Sequence, residues 1–196
     1  MMNVIYILFS YLMGAISFGI VMSRLFSLPD PRTIGSKNPG ATNVLRTGKK
    51  LAALLTLLGD ALKGSLTVGL AQYFELSPLM VALVAIATLL GHIFPIYYGF
   101  KGGKGVATAA GILFMFSWMM GCTVLAIWFA VFIIWRYSSL AAIIAASLSP
   151  VMGFFYAIDF YQLIASSIIA LILILRHIDN MKRLINGTES SFREKK

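Results

Sequence analysis

Residues 106–135 read VATAAGILFMFSWMMGCTVLAIWFAVFIIW, an apolar run without a charged residue. A helix needs about 20 residues to cross a hydrocarbon core, so this run is too long for one ordinary span. Lys101 and Lys104 precede it and Arg136 follows it. How the run folds therefore decides how many times the chain crosses a membrane.

Working outward, five further apolar runs lie at about 4–23, 51–74, 78–98, 139–157 and 160–175. No charge precedes the first, and no cleavage site follows it, so it reads as a span and not as a cleaved signal. The basic residues sit between the runs. Arg24, Arg32, Lys37, Arg46, Lys49 and Lys50 fall in one loop and Lys101 and Lys104 in a second. Arg176, Lys182, Arg183, Arg193, Lys195 and Lys196 fall in the tail. Loops rich in Lys and Arg face the cytoplasm, which places all three segments on that side. The short joints at 75–77 and at Asp159 carry no Lys or Arg and suit the outside.

Parity then constrains the count. Three spans bring the chain from an outside N-terminus to Lys101 and Lys104. An even number must follow to reach a cytoplasmic tail. The run 106–135 is expected to be a hairpin of two short helices turning near Gly121, each of about 14 residues and about 21 Å. The expected fold is an all-α, polytopic membrane bundle of seven helices, two of them short, N-terminus out and C-terminus in. One long span with Arg136 outside is the plainer alternative. Residues 1–196 read as one domain.

Composition agrees. The chain is 59% hydrophobic and 12% charged, about half the charge of a soluble domain. Its formal charge of +9 flanks apolar runs, which favours anionic lipid and phosphorylated small molecules over nucleic acid. Cys122 is the sole cysteine, so no intrachain disulfide forms.

Three polar stretches carry the chemistry. The first is Gly35-Ser36-Lys37-Asn38-Pro39-Gly40-Ala41-Thr42-Asn43-Val44-Leu45-Arg46. Gly, Asn and Pro make turns. Between them lie hydroxyls, amides, backbone N–H groups and cations, a set that binds phosphate oxygens. The second is Phe100-Lys101-Gly102-Gly103-Lys104-Gly105-Val106-Ala107-Thr108. Its glycines are expected to expose backbone N–H groups beside a helix N-terminus, which attracts anions. The spacing is not a Walker spacing and no strand precedes it, which argues against a nucleotide site. The third pairs Arg136-Tyr137-Ser138-Ser139 with the tail, where His177, Asn180 and Leu184 share helical spacing. Alone, the first also reads as a solvated connecting loop, the second as a flexible basic turn on the membrane surface, and the third as a juxtamembrane segment holding anionic lipid.

Charged residues inside the apolar runs are costly and point to function or a structural ion pair. Asp60 and Lys63, three apart, can meet on one helix face. His92 follows Gly91 in the third run and reads as a hydrogen-bonded core histidine.

With these residues in view, the chain resembles the bacterial acyl-phosphate-dependent glycerol-3-phosphate acyltransferases, the PlsY family. The likeness covers nearly the whole length. It rests on Gly35–Arg46, on Gly91-His92 with Pro95 leading to Phe100–Thr108, and on Arg136–Leu140 with Pro150. The tail residues His177, Asn180, Arg183, Leu184, Gly187 and Glu189 also fit. The resemblance implies transfer of a fatty acyl group from acyl phosphate to the sn-1 hydroxyl of glycerol 3-phosphate. It implies a bacterial inner-membrane location, a cytoplasmic active site, and no metal, cofactor or obligate protein partner. The donor phosphate falls to Gly102, Gly103 and Gly105 with Thr42 and Asn43. Glycerol phosphate falls to Ser36, Arg46, Lys104, Ser139, His177 and Asn180, though the two sets are exchangeable. Asn38 and Lys101 complete the substrate contacts. Lys104, His177, Ser36 and Arg46 are the candidate catalytic groups. The base is His177 or a substrate phosphate.

Two other classes fit less well. A transferase using CDP-linked donors calls for clustered metal-binding aspartates, whereas Asp30, Asp60, Asp159 and Asp179 are dispersed. An organic-phosphate transporter calls for a midplane site on broken helices.

Overall fold

The computed structural model describes residues 2–192; Arg193, Lys195 and Lys196 of the basic tail lie outside the described residues. Every regular element among these is helical: α1 (Met2–Gly14), α2 (Phe18–Leu25), α3 (Ala41–Leu45), α4 (Lys50–Tyr73), α5 (Pro78–Ile93), a 3₁₀ turn at Ile96–Tyr98, α6 (Val106–Phe116), α7 (Trp118–Trp135), α8 (Ser138–Phe155), α9 (Phe160–Arg176) and α10 (Ile178–Ile185).

The helix starts follow local chemistry. Ser77 accepts from the Met80 N–H, with Pro78 at the first helical position of α5. Asp159 accepts from the Tyr161 N–H at 2.8 Å to open α9. These caps satisfy N–H groups that a helix start leaves free.

The decisive run does fold as two helices, but the turn is not at Gly121. It is at Ser117, whose backbone is extended (φ −159°, ψ 126°) and whose side chain caps α7. Capping chemistry outweighs glycine here. Gly121 is helical, and a Cβ there would fall 2.6 Å from the Phe114 Cα, so its small size lets α7 fold back on α6. The halves are unequal, 11 and 18 residues, about 16 and 27 Å long. A second difference is a break in the first run. The axis bends by 43° between Asn3–Gly14 and Phe18–Leu25. A second bend, of 54°, separates α9 from α10.

Among the described residues, four helical stretches are long and apolar enough to cross a membrane, or six if each bent pair counts as one span. The core lies where α4, α5, α6, α8 and α9 meet, around Val68, Val84, Leu89, Ile112 and Ile169. Close helix contact comes from small residues, as is usual in membranes. A Cβ on Gly111 would fall 2.0 Å from the Ala61 carbonyl oxygen of α4. Large apolar side chains such as Leu58, Leu62, Phe129, Ile133, Phe154 and Leu171 point outward, a surface suited to lipid.

Candidate active site

The loop before α6, the loop around α3, the start of α8 and the α9–α10 junction converge. Lys104 Nζ donates to Asn180 Oδ1. Asn180 Nδ2 donates to Glu189 Oε1 at 2.6 Å. Ser139 donates to the same oxygen at 2.7 Å, and Arg183 Nε donates to Oε2 at 2.7 Å. Thr42 and Ser138 hydroxyls lie 3.3 Å apart. Arg46 donates to the Ser190 hydroxyl.

A cavity of about 240 Å³ opens beside Lys104, lined also by Ser36, Lys37, Asn38, Arg176 and Asp179. A second, of about 370 Å³, adjoins it and is lined by Arg32, Lys37, Phe100, Lys101, Gly102 and Arg176. Lys37, Gly102 and Arg176 border both. Arg32 is held in place by a fork onto Asp30 at 2.6–3.2 Å. Its side-chain bond to Arg32 holds the Asp30 carboxyl below the usual range.

Electrostatics follow from this setting. Burial lowers the Lys104 ammonium to about 8, with Glu189 opposing the shift. Burial would raise Glu189, but bonds from Ser139, Asn180 and Arg183 outweigh it, and the carboxyl stays ionised at lower pH than usual. His177, just beyond α9, donates from Nδ1 to the Leu173 carbonyl at 2.7 Å, taking this nitrogen as the protonated one. That tautomer leaves Nε2 as an acceptor. Burial lowers His177 to about 4, so its ring is neutral near pH 7.

Of the expected site residues, Ser36, Asn38, Gly102 and Lys104 line the first cavity and Lys101 the second. Ser139, His177 and Asn180 are buried; Asn180 bonds Lys104, and Ser139 shares Glu189 with it. Other candidates stand differently. Asn43 is buried, and its Nδ2 donates to the Pro31 and Ile34 carbonyls while Oδ1 accepts from the Ser36 N–H. It shapes the loop that presents Ser36 and is not a phosphate ligand in this conformation. Gly102 and Gly103 do not offer free N–H groups either; they donate to the Ile93 and His92 carbonyls at 3.2 Å. Gly105 is a left-handed helix cap (φ 92°). Arg46 lines neither cavity, since its guanidinium engages Ser190, and Thr42 is tied to Ser138.

Sequence reasoning passed over Arg176 and Glu189 as site residues. Arg176 read only as one of the basic residues of the tail. Glu189 had one usable signal, being one of three acids, with Asp179 and Glu194, in an otherwise basic tail.

Fold and site together define a helical, integral membrane protein with a cluster of basic and hydroxyl groups fit for phosphate. A family model described as glycerol-3-phosphate acyltransferase matches residues 4–187. The chain is 52% identical over 195 residues to the glycerol-3-phosphate acyltransferase of Methylobacillus flagellatus, covering all of both chains. It is 54% identical to that of Nitrosospira multiformis, covering 94% of this chain and 93% of the relative. Among solved structures it matches PlsY, an integral membrane glycerol 3-phosphate acyltransferase, in the glycerol 3-phosphate form. That match has a TM-score of 0.94 at 35% identity, over 98% of this chain and 96% of the other. The lysophosphatidic acid form matches with a TM-score of 0.92 at 34% identity over the same shares. The chain belongs to the PlsY family of membrane glycerol-3-phosphate acyltransferases.

Proposed function

We propose that this chain, acting as one domain, moves a fatty acyl group from acyl phosphate to the sn-1 hydroxyl of glycerol 3-phosphate. The products are lysophosphatidate and inorganic phosphate, and the step is the first acylation of phospholipid synthesis. The observation that carries this reading is the pair of adjoining basic cavities sharing Lys37, Gly102 and Arg176. Two phosphate-bearing substrates can then lie side by side. Glycerol phosphate suits the smaller cavity, with Ser36, Asn38 and Lys104 around it and Asn180 holding Lys104 from behind. The donor phosphate suits the larger, beside Arg32 and Lys101. Phe100, 57% exposed there, offers an apolar rim for the acyl chain. Arg46, released from Ser190, adds a forked guanidinium to glycerol phosphate.

The chemistry asks for placement and charge neutralisation. The sn-1 oxygen attacks the acyl carbonyl carbon, the new ester C–O bond forms, and the carbon–oxygen bond to phosphate breaks. Lys104 and the arginines hold the charge on the departing phosphate. The hydroxyl proton passes to a substrate phosphate, or to His177 Nε2. An acyl phosphate is a reactive mixed anhydride, so a strong protein base is not needed.

For topology we propose seven membrane segments in a bacterial inner membrane: the α1–α2 pair, α4, α5, α6, α7, α8 and α9, with α10 on the surface. The N-terminus is outside and the site cytoplasmic, because the basic loops gather at the site. The break between α1 and α2 does not make a transport site, since its Ile16 carbonyl is taken by Lys63 at 2.7 Å.

A phosphate-release assay tests the reaction. Purified protein given acyl phosphate and glycerol 3-phosphate together should release phosphate, with little release from acyl phosphate alone. Uptake of glycerol 3-phosphate into proteoliposomes without product would favour the transporter. Cysteine labelling, with the exposed Cys122 first replaced, tests topology. Positions 37, 101 and 190 should label from the cytoplasm and 76 from outside. Labelling of 137 from outside would contradict the hairpin.

A further inference from the structure

The proposed mechanism leaves a buried polar cluster without a role. Asp60 and Lys63 of α4 form an ion pair at 2.9 Å, their side chains 3% and 1% exposed. Beside them stands His92 of α5, its Nδ1 3.6 Å from Asp60 Oδ1 and 3.2 Å from the Thr108 hydroxyl on α6. Isolated charges are costly in such surroundings, and pairing with good anchoring is what keeps them there.

The other edge of the His92 ring faces the glycine loop. A Cβ on Gly103 would fall 2.2 Å from His92 Nε2 and 2.9 Å from Cε1. A Cβ on Gly102 would fall 2.1 Å from the His92 carbonyl oxygen. Both N–H groups of this dipeptide are hydrogen-bonded to the end of α5, at His92 and Ile93. The Gly102-Gly103 backbone therefore lies flat against His92, and the next residue is Lys104. On the far side the Gly103 carbonyl faces Arg176, 3.5 Å from Nη2.

We infer that His92 is a positioning residue: oriented by Thr108 and the Asp60–Lys63 pair, its ring sets the height of the Gly102-Gly103 backbone and so the place of the Lys104 ammonium. This rests on the reading of Lys104 as a phosphate ligand. Removing the ring opens space beneath Gly103 into which the loop can sink. Adding a methyl at Gly103 pushes the loop the other way. A displacement of about 1 Å in a positioning element can cost about a hundredfold in rate.

The test is a double-mutant cycle on purified protein, with each substrate varied in turn and the thermal midpoint measured alongside. His92→Ala should stay folded and lose about 10–100-fold in kcat/KM, chiefly in kcat. Gly103→Ala should lose at least as much. The double variant should lose no more than Gly103→Ala alone, because the new methyl enters the space the ring has left. Losses that multiply in the double variant would overturn the proposal. So would a His92→Ala variant with lowered midpoint but kcat and KM unchanged. If His92→Ala does not fold, His92→Asn carries the same cycle, as it keeps a polar atom for Thr108 while removing the outer half of the ring. Lys104→Ala is the reference. Wild-type turnover there overturns the site reading and this inference together; a silent His92→Ala beside a defective Lys104→Ala overturns this inference alone.

Discussion

The two broken helix pairs repair their breaks differently. Between α1 and α2 the chain bends by 43° with Ala15 and Ser17 buried, and the Ile16 carbonyl takes Lys63 Nζ from a different helix. Between α9 and α10 it bends by 54°, and the Leu173 carbonyl takes the ring of His177, the residue at the bend itself. An unbonded carbonyl in an apolar setting costs several kcal/mol, so a broken helix needs a donor from somewhere. A donor from a distant helix locks the break into the core. A local donor leaves neighbouring polar residues free for a ligand, and here Arg176 and Asp179 line the cavity beside Lys104.

The largest expected effect tests the buried break. Lys63→Met leaves Asp60 without its ammonium partner, with only His92 nearby, and the Ile16 carbonyl without its donor. Loss of one partner of a buried pair should destabilise the fold by about 3–5 kcal/mol, read as a fall in detergent-solubilised folded protein. Asp60→Asn combined with Lys63→Met should recover much of that loss. A stable Lys63→Met single variant would erase the distinction between the breaks.

Next comes the surface site. Lys104→Ala should reduce kcat/KM about 10–150-fold, as expected for a charge-assisted bond of about 1.5–3 kcal/mol, with the thermal midpoint little changed. The pH profile sharpens this. Phosphate binding needs the ammonium, and burial lowers Lys104 to about 8. Thus kcat/KM should fall as pH rises through about 8. The kcat limb should lie higher, because bound phosphate favours the charged form. Identical limbs in wild type and Lys104→Ala would assign the titration elsewhere.

A smaller effect is expected at His177. His177→Ala should raise the KM for glycerol 3-phosphate and reduce kcat by less than about a hundredfold, the lower end of what loss of a required base costs. With burial holding the ring near 4, no activity limb should appear near the ordinary imidazole value of about 6.5. A thousandfold fall in kcat with folding intact would make His177 the base. The smallest effect belongs to Lys49, an exposed residue whose ammonium lies 5.8 Å from the Phe26 ring centre. Lys49→Ala should leave kcat/KM within about twofold, as exposed substitutions remote from a site usually do.

The sequence displayed the helical class and the folding of 106–135 into two pieces, because run length answers to bilayer thickness and loop charge to the side of the membrane a loop faces. It misplaced the turn, since Gly121 looks like a breaker while Ser117 supplies a cap. The bend at 15–17 was invisible for a related reason: the residues there are small and apolar enough to continue a helix, and the compensating Lys63 is remote in sequence. In the candidate site, Ser36 and Lys104, which line the first cavity, and Asn180, which bonds Lys104, were legible as polar types suited to phosphate. The inward turn of Asn43 and the tethering of Gly102 and Gly103 were not, because both depend on which carbonyls lie nearby in space. Glu189 as the hub joining Ser139, Asn180 and Arg183 is likewise a three-dimensional fact.

The central claim concerns the donor, and one assay meets it directly. Purified protein in detergent, supplied with glycerol 3-phosphate and no added metal or nucleotide, should form lysophosphatidate from palmitoyl phosphate, with phosphate released in equal amount. Palmitoyl-CoA should give none. Product from palmitoyl-CoA and none from palmitoyl phosphate would contradict the proposed reaction.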